Sequence, residues 1–151
     1  MALEILVILA LILVNGFFSL SEMAVVSSRK ARLRQRAEEG HKGARMALET
    51  AQNPGRFLST IQIVITMVGV MAGAFGGATV AEELRDSFLA AGLRADFAEP
   101  LSMGIVVVAT TFLSVVFGEL VPKNLALGRP ELIAGFVAWP MRVFSVLFAP
   151  V

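Results

Sequence analysis

Cysteine is absent from the 151 residues, histidine occurs once, and charged side chains are scarce at 17%. Without cysteine there is no disulfide framework, no thiolate metal site and no cysteine nucleophile. The lone histidine, His41, lies in a basic polar stretch, so no Ser–His pair can form inside an apolar run. No His-Glu-x-x-His element occurs, and no apolar run holds a pair of aspartates. Gly73, Gly76 and Gly77 make no phosphate loop, since no lysine follows them and no strand pattern precedes them. The residues therefore give no footing to an enzyme. The shortage of charge is as telling: soluble domains are about 25% charged and about 45–50% apolar. This chain is 56% hydrophobic with a mean hydropathy of +0.77, which makes it a membrane protein. A net charge of +1 removes any overall attraction to nucleic acid. The length suits a single domain.

What is present is a set of apolar runs separated by charged stretches. Residues 3–28 are almost continuously apolar and exceed the roughly 20 residues that span a bilayer. Glu4 stands where a signal peptide would be basic, and no small-residue cleavage site follows, so we read a retained first span. Residues 29–54 change character: the stretch to Arg56 holds eight basic residues against three acids. Its alanines and leucines suit helices broken around Gly40–Gly43 and stopped at Asn53-Pro54-Gly55. Two readings stand open for it, a solvated helical loop or amphipathic juxtamembrane helices resting on anionic headgroups. A second span covers residues 57–80, loosening towards Gly76-Gly77. Residues 81–99 form a polar connection with five acids and two bases, and a third span covers residues 100–122, with Pro100 at its start. The basic stretch is then cytoplasmic by the positive-inside rule, with the N-terminus outside and the C-terminus inside. Residues 131–151 are apolar but carry Pro140 and Arg142 near the middle and Trp139 beside them. Arg142 at the bilayer centre would cost about 2.5–3.5 kcal/mol, so a helix lying at the inner face is expected. The apolar finish at Val151 leads us to expect a soluble part beyond it.

Ionisable groups inside spans mark function. Two qualify, Glu22 and Glu119. Asn15, Ser19 and Glu22 are spaced i, i+4, i+7 and share one helix face, whereas Ser21 points elsewhere unless the helix distorts. Their oxygens are hard ligands, suited to Mg²⁺, Ca²⁺ or Na⁺. The plainer reading is helix–helix hydrogen bonding, with Glu22 near the headgroups. Ser59, Gln62, Thr66, Gly69 and Gly73 form a small and polar stripe on the second span, which serves close helix approach or supplies Thr66 and the Gly69 carbonyl to an ion. In the third span Pro122 has no N–H, so the carbonyl of Gly118 loses its partner four residues on, beside the carboxylate of Glu119. A broken helix bearing an acid is a recurrent cation-coordinating device. The competing reading is a proline-terminated helix with Glu119 paired to Lys123.

The segments Asn15-Gly-Phe-Phe-Ser-Leu-Ser-Glu22, Thr60-Ile-Gln-Ile-Val-Ile-Thr66 running into Ala72-Gly-Ala-Phe-Gly-Gly77, and Gly118-Glu-Leu-Val-Pro-Lys123 together resemble the transmembrane domain of the CorC/CNNM magnesium transporters. The resemblance covers nearly the whole chain in motif order, and its Gly-Glu-x-x-Pro-Lys element is the most specific part. It implies an all-α membrane protein with three transmembrane helices and cytoplasmic juxtamembrane helices, assembled as a homodimer in the plasma membrane. It also implies Mg²⁺ efflux coupled to Na⁺ influx, with nucleotide-binding CBS domains following in the same chain. Ser19, Glu22, Gly118 and Glu119 match the polar elements that the family places around its ion. Ile65 and Gly69 stand where eukaryotic members carry asparagine, so Thr66 or the Gly69 carbonyl is the expected contribution of the second span. Alternating access about a midplane site is the expected mechanism. A non-transporting dimeric anchor in Mg²⁺ homeostasis is the alternative. An ion channel is a second rival, which needs a continuous wet pore and differs from the exchanger in needing no Na⁺ gradient.

Overall fold

In the computed structural model, residues 1–148 are described, with the backbone only at 148, and among them all regular structure is helical. Helix α1 (Ala2–Ser27) is the first apolar run, ended where Ser28 turns extended. The short helices α2 (Lys30–Glu38) and α3 (Lys42–Gln52) carry the basic stretch. The turn between them needs Gly40 at φ +94°. There the Gly40 and His41 amides bond back to the carbonyls of Ala37 and Arg36, closing the helix end in a Schellman motif. Pro54 opens α4 (Pro54–Phe75), a position where its missing N–H costs nothing. The helix passes through a π turn at Gly76–Val80 and continues as α5 (Ala81–Ala90). Helix α6 (Ala95–Val115) passes through a second π turn, Val116–Leu120, into α7 (Val121–Gly128). Helix α8 (Pro130–Phe148) follows.

Four helices are long and apolar enough to cross a membrane by length and composition: Ala2–Ser27, Pro54–Ala90, Ala95–Gly128 and Pro130–Leu147. Helix α1 is the centre of the assembly. It packs against α4 on one side, against the second π turn and α7 on another, and against α8. The core joins Phe18, Ala24 and Val25 of α1 to Phe57, Ile61, Val64, Ile65 and Val68 of α4 and to Val137 and Met141 of α8. Most other large apolar side chains face outward, Phe136 at 81% and Leu13 at 70% exposed. Such a surface suits lipid rather than water.

Three features add detail to the sequence expectations. The polar connection over residues 81–99 is a helical hairpin, because Ala81–Ala90 run uninterrupted by Gly or Pro. The chain turns only at Gly92, with φ +91°. The helix Pro54–Ala90 has 37 residues and would measure about 55 Å against a hydrocarbon core of about 30 Å. The acidic hairpin therefore projects past the apolar layer. Second, the third long helix starts at Ala95 and carries Pro100 inside it, and it runs past Pro122 to Gly128. The π turn makes that possible: the Val121 amide reaches back five residues to the Val116 carbonyl, so proline enters without breaking the helix. Third, the apolar segment expected over 131–151 is helical through 148, and residues 149–151 lie outside the described part. Helix α8 packs along α3, where Gly43 and Gly135 meet: a Cβ built on Gly43 would lie 2.3 Å from the Gly135 carbonyl oxygen. Arg142 sits 3.7 Å from Glu49 of α3.

Candidate functional site

The polar face of α1 is pressed against the second π turn. A Cβ on Gly16 would lie 3.0 Å from the Phe117 carbonyl and 3.1 Å from Pro122 Cγ, and one on Gly118 would lie 3.0 Å from Asn15 Nδ2. Glycine on both sides is what lets the two backbones approach. At this crossing Asn15 Nδ2 donates to the Gly118 carbonyl at 3.3 Å, from a side chain that is 5% exposed. Pro122 cannot supply the N–H that would pair this carbonyl along the helix, and the amide of α1 does so instead. Only the amide nitrogen of Asn15 can donate to a carbonyl, so Oδ1 is left facing the interior.

That oxygen has no partner, and neither does Ser19 Oγ one turn further on, in a fully buried side chain. Buried polar atoms are nearly always bonded, and an unsatisfied one costs about 1–3 kcal/mol. Both atoms lie on one face of α1, four residues apart. Ser21 is equally buried but satisfied, its hydroxyl donating to the Phe17 carbonyl at 2.7 Å, so it is not brought to this face. Glu22 completes the stripe, its Oε2 3.6 Å from Lys123 Nζ. This differs from the pairing of Lys123 with Glu119 that the i, i+4 spacing allows. Glu119 lies half-buried in the π turn, immediately after the Gly118 carbonyl. Asn15 with Gly118 and Glu22 with Lys123 thus form polar contacts of α1 with the broken helix, with Ser19 between them on the α1 face and Glu119 next to Gly118 in the chain.

Thr66 and Gly69 are not brought there. Helix α4 turns Phe57, Ile61, Val64, Ile65 and Val68 inward, which leaves the small and polar stripe on another, exposed face. Thr66 Oγ1 donates to the Gln62 carbonyl at 2.8 Å. Gly69 and Gly73 instead line a separate cleft of about 230 Å³ with Thr110, Thr111 and Ser114 of α6. Sequence reading passed over these three hydroxyl residues, although their spacing (i, i+1, i+4) in an apolar run was visible. It also passed over Lys123 as the partner of Glu22, which only the packing of α7 on α1 reveals.

Among the described residues no three His, Cys, Asp or Glu side chains cluster. The donor set is an amide oxygen, a hydroxyl, a backbone carbonyl and separate carboxylates, all hard oxygen ligands fit for a small cation in a dry place.

Comparison with known proteins agrees on one family. Residues 6–151 match the model of the cyclin M (CNNM) transmembrane N-terminal domain. A UPF0053 protein of Synechocystis is 48% identical over 98% of this chain and 33% of its own length. A polyamine export protein of Haemophilus influenzae is 30% identical over 97% of this chain and 34% of its own length. Its namesake in Escherichia coli K12 is 33% identical over 97% of this chain and 33% of its own length. The chain spans about a third of the length of the curated relatives it matches.

Proposed function

The chain belongs to the cyclin M (CNNM) transmembrane family and is a multi-pass membrane protein, and on that premise we propose that it is the membrane portion of a Mg²⁺ exporter coupled to Na⁺ influx. It works by binding and moving an ion rather than by catalysing a reaction. The observation that carries this reading is the pair of buried, partnerless oxygens of Asn15 and Ser19 beside the Gly118 carbonyl and Glu119. Mg²⁺ dehydrates reluctantly and needs at least one carboxylate in return. Glu119 supplies it, with Glu22 held in reserve by Lys123. The π turn is the hinge that alternating access requires, since it carries one irregular hydrogen bond that can shift between partners.

The arrangement in the cell follows from the charges. The basic helices α2 and α3 lie at the cytoplasmic face of the plasma membrane, and α8 lies beside them as a juxtamembrane helix, its Arg142 paired with Glu49 outside the hydrocarbon. Three helices then cross. Two copies associate through lipid-facing surface that includes the exposed small and polar stripe of α4. CBS domains of the same chain act on the cytoplasmic helices.

The test is Mg²⁺ efflux from proteoliposomes with and without a Na⁺ gradient, for wild type and Glu119→Ala. Na⁺-driven flux lost in the variant supports the exchanger. Flux indifferent to the gradient points to a channel, and no flux from an intact dimer points to a regulatory anchor. A second cargo has a specific observation behind it, the polyamine export named for relatives 30% and 33% identical over nearly all of this chain. Spermidine in the same vesicles separates the two cations.

A further inference from the structure

Where α1 ends, α2 and the turn between α7 and α8 enclose an open cleft of about 590 Å³. Four arginines line it: Arg29 just before α2, Arg32 and Arg36 within it, and Arg129 from the α7–α8 turn. None of the four is in an ion pair among the described residues, whereas Arg85, Arg94, Lys123 and Arg142 each sit against a carboxylate. The cleft also contains two acids, each hydrogen-bonded to a neutral donor, so the four arginines leave it a formal charge of +2. Glu39 accepts from Gln35 Nε2 at 3.3 Å, and the buried Glu131 accepts from the Arg29 backbone N–H at 3.2 Å. That second bond ties the start of α2 to the start of α8, so the cleft has a fixed wall. Its rim is apolar: Leu127 is 54% and Leu132 47% exposed beside the guanidinium groups.

We propose that this cleft is a binding site for the phosphate of an anionic phospholipid. Free guanidinium groups on two elements form the fork-like donor set that phosphate oxygens match, and Arg is the residue suited to it. Basic pockets between helices on the cytoplasmic side of membranes hold anionic headgroups. The apolar rim decides between the two sources of phosphate. A soluble phosphate compound has no use for Leu127 and Leu132, whereas acyl chains descending from the headgroup cover them. The bound lipid would clamp α2 to the α7–α8 turn. The proposal rests on α2 being an inner-face helix and not on the identity of the ion.

The experiment is a lipid titration of the delipidated protein in detergent, read by native mass spectrometry, with phosphatidylglycerol, phosphatidylcholine and inorganic pyrophosphate as probes. Phosphatidylglycerol is expected to bind and phosphatidylcholine to bind much more weakly. Each of Arg32→Gln, Arg36→Gln and Arg129→Gln should weaken phosphatidylglycerol about fivefold, and the triple variant about a hundredfold. Arg34→Gln, on α2 but away from the cleft, should change little. Arg32, Arg34 and Arg129 are exposed and Arg36 is partly exposed, none of them in the core, so the variants keep the fold. Equal binding of the two lipids, or a triple variant that binds like Arg34→Gln, overturns the site. Pyrophosphate binding as tightly as phosphatidylglycerol, with the same sensitivity to the arginines, overturns the lipid assignment in favour of a soluble phosphate ligand. The titration reads lipid alone, so its failure leaves the transport reading standing, and the reverse holds too.

Discussion

Replacing Ser19 by alanine separates an ion ligand from a structural hydroxyl, because the two roles predict opposite signs. Ser19 Oγ is fully buried and bonded to nothing. A hydroxyl held that way costs about 1–3 kcal/mol of desolvation that no hydrogen bond returns. Deleting one oxygen leaves a void smaller than a methyl group, which costs up to about 1 kcal/mol. The ion-free variant should therefore be as stable as wild type or more stable, by about 1 kcal/mol, which for a chain of this length is about 2–4 °C in Tm. Mg²⁺ reverses the order. At a hundred times its Kd a ligand that binds only the folded state adds about 2.7 kcal/mol, a gain that Ser19→Ala should lose in large part. The assay is thermal unfolding of purified protein in detergent, with a Mg²⁺ series for wild type, Ser19→Ala and Ser21→Ala. Ser21 is the control, since its hydroxyl is satisfied by the Phe17 carbonyl and its loss should leave the Mg²⁺ response intact. A Ser19→Ala protein that melts lower without the ion and keeps the full Mg²⁺ shift would refute the reasoning. Its oxygen would then be a structural group with a partner.

Other outcomes follow from the same geometry. Asn15→Leu removes the donor to the Gly118 carbonyl and should lower stability by about 1–3 kcal/mol, seen as a lower Tm in the absence of any ion. Gly43→Ala puts a Cβ against the Gly135 carbonyl and should cost about 1–3 kcal/mol by forcing α3 from α8, whereas Gly104→Ala, with open space around it, should be neutral or slightly stabilising in the same melts. Lys123→Met frees Glu22 from a partly exposed pair worth at most about 1 kcal/mol. It should tighten Mg²⁺ binding in calorimetry, and unchanged or weaker binding would show that Glu22 faces away from the ion. Gly92→Ala meets a φ of +91° and should cost about 1–2 kcal/mol, loosening the acidic hairpin to proteolysis first.

Apolar runs of about 20 residues with almost no charge were enough to make the chain helical and membrane-bound, since a spanning strand needs only about 9–11 residues and alternates in polarity. The sequence by itself also determined which polar groups were worth watching. Asn15, Ser19 and Glu22 share a face because helical spacing puts them there, and Pro122 deprives the Gly118 carbonyl of an amide because proline has none. Local rules went no further. Charge density marked residues 81–99 as a polar connection, and its folding into a helical hairpin came from the structure. Pro122 suggested an end to the helix, and the π turn lets it continue, a choice that depends on the packing of α1 against Gly118. Partners were beyond the sequence altogether. That Asn15 answers the unpaired carbonyl, that Lys123 turns to Glu22 rather than Glu119, and that Thr66 faces away from Ser19 are set by which helices meet and at what rotation. The arginine cleft belongs to the same class: Arg129 joins Arg29, Arg32 and Arg36 because α7 and α8 pack on α1, with Glu131 of α8 bonding the Arg29 amide. Spacing along a helix is a local quantity, whereas a contact across a hundred residues is decided by how the surfaces fit.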